Sequence, residues 1–314
     1  MSHQLTRRKL IAATSAASAV LLSRTSAAAD SKQGGWIDAH SHIWSPEVER
    51  FPLVAGLTKK DLNPASFTDD ELMKIASPEG VDRVVLIQHS LYHLFDNSYL
   101  VDAVKRHPQR FRAVGMIDDH AAQPGAAMKR LLKQGVTGFR ITPFILDKNQ
   151  VKWLETPGMH EMWKTGAATR QAMCCLINPT DLAGVSKMCG LYADTPVVID
   201  HFARIGTDGK FREADIAALC DLAKRKEVSV KVSAFYALGN KKPPHLELIP
   251  LIKRLLEAYG PQRLMWASDC PYQLDGDNNY AASIGLVRDR LDFLSDEDRQ
   301  WLLRKTAERV FFYA

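Results

Sequence analysis

A march of short apolar runs and helical patterns along one undivided chain predicts an α/β fold, a single (β/α)8 TIM barrel. Eight short apolar runs, several of them β-branched, begin roughly 20 to 50 residues apart, the spacing of strand–helix units in such a barrel. No repeat, low-complexity segment or Gly/Ser-rich linker interrupts residues 30–314. That length suits one domain, because α/β barrels routinely run to about 250 residues or more in one piece.

The leader comes first. Thr6-Arg7-Arg8-Lys9-Leu10-Ile11 resembles a twin-arginine export signal, followed by a weakly apolar stretch, Ile11 to Leu22, and a small-residue cleavage site, Ala27-Ala28-Ala29. The expected organisation is a signal peptide over 1–29, a barrel over 30–314 and a periplasmic location. Arg24 interrupts the apolar stretch, which falls far short of the roughly 18 residues a membrane span needs. Cleavage removes Arg7, Arg8, Lys9 and Arg24 with no acidic residue, taking the formal charge from +5 to +1. The basicity is mostly the leader's, so no nucleic-acid-binding surface is expected. Cys174, Cys175, Cys189, Cys220 and Cys270 show no metal-ligand or redox spacing, and an odd count argues against a disulfide framework.

The predicted strands are Trp36 to His40, Val84 to Gln88, Arg112 to Ile117, Thr137 to Thr142, Met173 to Ile177, Val197 to Asp200, Val228 to Ser233 and Leu264 to Ser268. Between them, Gly135 should stop the helix Ala126 to Gln134 at a C′ position. Thr180 and Ser295 read as N-caps, with Asp298 completing a capping box after Ser295. Alternation then assigns side chains to the two faces of the barrel wall. Phe139 and Ile141 belong to the outer layer, which sends Gly138, Arg140 and Thr142 inward. Val228, Val230 and Val232 likewise face out, and Ser229, Lys231 and Ser233 face in. A cation inside a barrel needs an anion, so Arg140 requires either a protein carboxylate or a ligand. Lys231, earlier in its strand and deeper, reads more as a structural ion pair.

In a barrel the site lies at the C-terminal strand ends. There the predicted strands deliver His40, His42, Ser90, Arg140, Asn178, His201, Arg204 and Asp269. His40 and His42 stand two apart and so share one side of their strand end, which suits metal binding or proton transfer. A pair of surface histidines is the alternative. Asp269 ends the last run as His40 ends the first.

Ile37-Asp38-Ala39-His40-Ser41-His42, Ile199-Asp200-His201-Phe202-Ala203-Arg204 and Tyr259-Gly260-Pro261-Gln262-Arg263-Leu264-Met265-Trp266-Ala267-Ser268-Asp269-Cys270-Pro271, in that order, resemble the amidohydrolase superfamily. Within its amidohydrolase-related family, the resemblance is to the branch of lactonases that open 2-pyrone-4,6-dicarboxylate, sulfomuconolactone and sugar lactones. Leu86-Ile87-Gln88-His89-Ser90, Asp96-Asn97 and Gly135-Val136-Thr137-Gly138-Phe139-Arg140 fit the same branch. The resemblance implies an amidohydrolase-type barrel and a hydrolase of carboxylic ester bonds. Its substrate would be a small anionic lactone, bearing carboxylate or sulfonate, from aromatic-compound catabolism. Asn178 stands where many metal-dependent members carry a fifth-strand His, and Leu53 stands where the pyrone branch tends to have Tyr. The branch contains both a zinc enzyme and a route without a tightly held metal, so one Zn²⁺ per chain and a metal-independent route both stay open.

Opening a lactone requires a polarised carbonyl, a water that loses a proton and a grip on the anion. Asp269 is the candidate base. His40 and His42 are placed to polarise the carbonyl directly or to hold Zn²⁺ with Asp269, and His201 to ligate the same ion or donate to the oxyanion. Arg140 and Arg204 offer forks for the anion, and Ser90 offers a further hydrogen bond or a helix cap. The main rival is a mononuclear-metal decarboxylase of an aromatic acid, against which Asn178 and Phe202-Ala203-Arg204 argue. A binding protein on a degenerate barrel is a third reading, disfavoured by both histidines and Asp269. A homo-oligomer is left open.

Overall fold

The computed structural model describes residues 34–144 and 152–313. The expected leader over 1–29 and its expected cleavage site therefore lie outside the described residues. Eight strands follow in chain order: β1 Trp36–Ser41, β2 Val81–Ile87, β3 Phe111–Gly115, β4 Val136–Ile141, β5 Ala172–Cys175, β6 Val197–Ile199, β7 Val228–Val232 and β8 Leu264–Trp266. Each pairs in parallel with the next, β1 through β8. The last seam closes just beyond the strand ends, through a parallel bridge between Ser41 and Cys270. There the Asp269 amide donates to the His40 carbonyl and the His42 amide to the Cys270 carbonyl, both at 2.8 Å. The expected (β/α)8 barrel is the observed fold.

Eleven helices alternate with or follow the strands among the described residues: α1 Asp69–Ala76, α2 Ser90–His93, α3 Ser98–Arg106, α4 Pro124–Leu132, α5 Pro157–Thr169, α6 Leu182–Leu191, α7 Glu213–Asp221, α8 Ile249–Tyr259, α9 Tyr280–Asp289, α10 Asp296–Gln300 and α11 Thr306–Phe311. No helix among the described residues is long and apolar enough to cross a membrane. Alternation along the strands builds two cores. Phe139, Ile141, Val228, Val230 and Val232 pack outward against the helices, and Ile37, Ala39, Val85, Ile87, Val114, Cys174, Val198 and Met265 form a separate buried cluster. Ala307 and Phe311 of α11 join that second cluster, so the terminal helix packs against the barrel's interior residues.

Local signals explain most helix ends. Ser295 accepts from the Asp298 amide and Asp298 caps back on the Ser295 amide, the expected box at α10. Gly135 adopts φ +81°, a left-handed conformation glycine takes without steric penalty, and the helix before it ends two residues earlier than predicted. Thr180 is a correction. Pro179 starts a 3-10 turn over Pro179–Asp181, which places Thr180 inside the turn and hands α6 its start at Leu182. All five cysteines are free thiols.

Candidate active site

Buried polar side chains collect at the C-terminal ends of β1, β4, β6, β7 and β8. His40 and Lys231 are fully buried, as is Asp200, the residue following β6. Lys231 Nζ lies 3.0 Å from Asp200 Oδ1 and 3.1 Å from His40 Nδ1. Arg140 Nη2 donates to His40 Nε2 at 2.8 Å and to Asp200 Oδ2 at 3.4 Å. The anion required by both interior cations is thus a protein carboxylate, Asp200. Burial raises the Asp200 pKa, but Lys231, His40 and Arg140 outweigh it and hold the carboxyl well below its ordinary range. Asp200 was present in the sixth-strand motif without a role; only the depth of Lys231 hinted at it.

Around this network stand the histidines and Asp269. The His42 Nδ1–H donates to the Ile87 carbonyl at 3.0 Å, leaving its Nε2 lone pair for the cavity. Burial keeps all three imidazoles neutral: His42 is pushed down to about 3, and His40 and His201 are lowered as well. His201 is oriented by Ser233, whose Oγ lies 2.8 Å from its Nδ1. Burial raises the Asp269 pKa, opposed by His201, Tyr236 and Arg140, which makes it a stronger base than an exposed carboxylate. Tyr236 donates to Asp269 Oδ2 at 2.8 Å and steadies it.

Two local backbone features aim these groups. Asp269 itself has φ +61°, and His201, Phe202, Ala203 and Arg204 form four consecutive left-handed residues with φ from 51° to 61°. Each left-handed non-glycine residue costs roughly 1–2 kcal/mol, so the surrounding packing must hold this turn. It carries His201 and Arg204 to the barrel mouth, and nothing in its glycine-free sequence announced it.

His40 Nε2, His42 Nε2 and Asp269 Oδ1 lie 3.4 Å apart on all three sides. A tetrahedral ion with bonds of 2.0–2.1 Å sets its ligands about 3.3–3.4 Å apart, so this triangle fits one. His201 stands off it: its Nε2 is 3.7 Å from Asp269 Oδ2, and its metal-compatible neighbours are His40 and Asp200. An ion in the triangle would take the His40 lone pair that Arg140 now uses.

A cavity of about 350 Å³ opens above, within the range that holds a small ligand. His42, Arg140, His201, Arg204, Ser90 and Asp269 all line it. The Arg204 guanidinium lies 4.8 Å from the Phe144 ring centre and meets no carboxylate among the described residues. Ser90 begins α2, but His89 is the cap. Asn178 donates its amide to Asp181 at 3.1 Å and does not line the cavity. His89, Tyr236 and Tyr272 also line it, and sequence reasoning assigned them no role. Burial pushes His89 down to about 2 and Tyr272 up to about 12.

The family model for amidohydrolases matches residues 37–313. The chain belongs to the amidohydrolase family. Among relatives, 4-sulfomuconolactone hydrolase of Rhizobium radiobacter is 28% identical over 244 residues, 76% of each chain. L-fucono-1,5-lactonase of Burkholderia ambifaria is 27% identical over 239 residues, 75% of this chain and 80% of that one. Among solved structures, a probable 2-pyrone-4,6-dicarboxylic acid hydrolase from Acinetobacter baumannii superposes with a TM-score of 0.74 at 21% identity, covering 89% of this amidohydrolase and all of that chain. An amidohydrolase from Burkholderia multivorans with bound zinc gives 0.72 at 19% identity, covering 89% and 99%. A 2,6-dihydroxybenzoate decarboxylase from Rhizobium stands further off, at 0.62 and 15% identity with coverage of 89% and 99%. These resemblances share the amidohydrolase barrel.

Proposed function

We propose that this amidohydrolase opens a small lactone carrying one anionic group, by attack of water on the ring ester. The observation that carries the reading is one cavity in which a buried, basic Asp269 faces neutral imidazoles while Arg204, among the described residues, meets no carboxylate. The charges of Arg140 and Lys231 are opposed by Asp200, and Arg140 also acts on Asp269, so among the described residues of the cavity Arg204 is the cation available to a ligand. A carboxylate or sulfonate pairs with its planar fork. Both lactone-hydrolase relatives support opening of a lactone ring, and the sulfomuconolactone one supports an anionic group on it.

Asp269 takes a proton from water as the oxygen adds to the carbonyl carbon, with Tyr236 holding the carboxylate in place. His201, fixed by Ser233, lies beside the same carboxylate and presents a neutral ring to the developing oxyanion. The proton held on Asp269 then passes to the departing ring oxygen. His40, His42 and Asp269 are the residues that would hold one Zn²⁺, which supplies carbonyl polarisation and acidification of water when bound. We further propose export by the twin-arginine route to the periplasm and a place in aromatic-compound breakdown, readings supported by Arg7-Arg8 and by the sulfomuconolactone relative.

A panel of anionic and neutral lactones and aromatic acids separates the readings. The expected result is acid release from anionic lactones without carbon dioxide. Carbon dioxide release from an aromatic acid would favour decarboxylation, and neither product would leave a binding protein.

A further inference from the structure

Tyr272 has no part in the steps above, although it shares the cavity wall with His42, Arg204 and Asp269. Its neighbours determine where its hydroxyl proton points. His89 caps α2, and the Tyr92 amide donates to His89 Nδ1 at 3.2 Å. A ring nitrogen that accepts carries no proton, so the imidazole N–H is on Nε2. That Nε2 lies 2.7 Å from the Tyr272 oxygen, and the N–H donates to it. The imidazole is held against turning over by Tyr92, stacked at 4.2 Å, and by Trp44 at 4.8 Å. Having accepted from His89, the Tyr272 hydroxyl must give its own proton elsewhere. Among the described residues it meets no acceptor, and the cavity lies beside it. Tyr236 differs, because its proton is committed to Asp269.

We propose that Tyr272 is a further catalytic residue, donating a hydrogen bond to the oxygen that gains negative charge as the ring ester opens, with His89 as the positioning residue that turns its proton that way. The inference rests on the lactone-hydrolase reading. In that reaction the bond from water oxygen to carbonyl carbon forms and the ring carbon–oxygen bond breaks. The water proton travels by Asp269 to the departing oxygen, and Tyr272 keeps its own proton throughout. Such a donor acts mainly where charge develops, so its loss falls on kcat rather than KM.

Tyr272→Phe keeps the ring and removes only the donor. It should lower kcat on the order of a hundredfold, the loss typical of one oxyanion donor, with KM nearly unchanged. His89→Gln retains an N–H on the Tyr272 side and should keep more kcat than His89→Leu, whereas a purely structural His89 would be hurt alike by both. Nitrogen-15 shifts of His89 in the wild type should show the Nε2–H tautomer. An active wild type with unchanged kcat in Tyr272→Phe, or an Nδ1–H tautomer, overturns this assignment alone. A wild type inert on every lactone overturns the lactone reading and the assignment with it.

Discussion

Arg140 and Arg204 look alike in the sequence, but the barrel separates them. Arg140 is buried and bonded to His40 and Asp200, whereas Arg204 lies over Phe144 with no carboxylate beside it among the described residues. Charge-assisted hydrogen bonds contribute roughly 1.5–3 kcal/mol, so Arg204→Met should lower kcat/KM for an anionic lactone about ten- to hundredfold. Activity on a neutral lactone should change far less. An unchanged ratio between the two substrates, read from steady-state kinetics, would remove Arg204 from the anion site. His40, His42, His201 and Asp269 were legible because each ends or follows a strand whose apolar pattern is strong. Tyr236, Tyr272 and His89 were not, because they sit in loops or a short helix where an aromatic residue has no periodic signature and reads as ordinary packing.

Among the elements, the seam between β1 and β8 does most to shape the site. Asp38 is fully buried there and accepts from the His40 and Ser268 amides, at 3.0 and 2.9 Å. It also accepts the hydroxyls of Ser41, Ser268 and Tyr280. Those bonds tie the segment carrying His40 to the segment carrying Asp269. Each buried donor left unsatisfied costs about 1–3 kcal/mol, so Asp38→Ala should destabilise the protein by about 3 kcal/mol or more. Chemical denaturation compared with wild type checks this; a loss below 1 kcal/mol, the scale of a single weak hydrogen bond, would show that the seam closes without Asp38. Strand order and number were readable because each strand lies in a short apolar run, β-branched in β2, β6 and β7, set off from the helical patterns on either side. The seam was not: β1 shifts register against β2 between Asp38 and Ser41, and simple alternation cannot anticipate such an irregularity. The left-handed turn at His201–Arg204 escaped for a related reason, since tertiary packing rather than glycine holds it.

At the scale of the whole molecule, an amidohydrolase barrel carries a basic carboxylate and, among the described residues, a guanidinium without a carboxylate partner in the same small cavity. Barrel class was legible because the pattern repeats along the whole chain, while charge balance in the mouth required knowing which cations Asp200 engages. Replacing Arg7 and Arg8 by lysine should strand the precursor in the cytoplasm, since the export receptor reads the arginine pair. Mature protein at wild-type level in the periplasmic fraction would contradict that reading. Hydrolysis of a preferred anionic lactone in oxygen-18 water, followed by mass spectrometry of the product, tests the central claim most directly. Wild type should place one labelled oxygen in the new carboxylate, and Asp269→Asn should lose nearly all turnover because the water has no base. Label in the product hydroxyl, or full turnover by Asp269→Asn, would contradict water attack on the ring carbonyl assisted by Asp269.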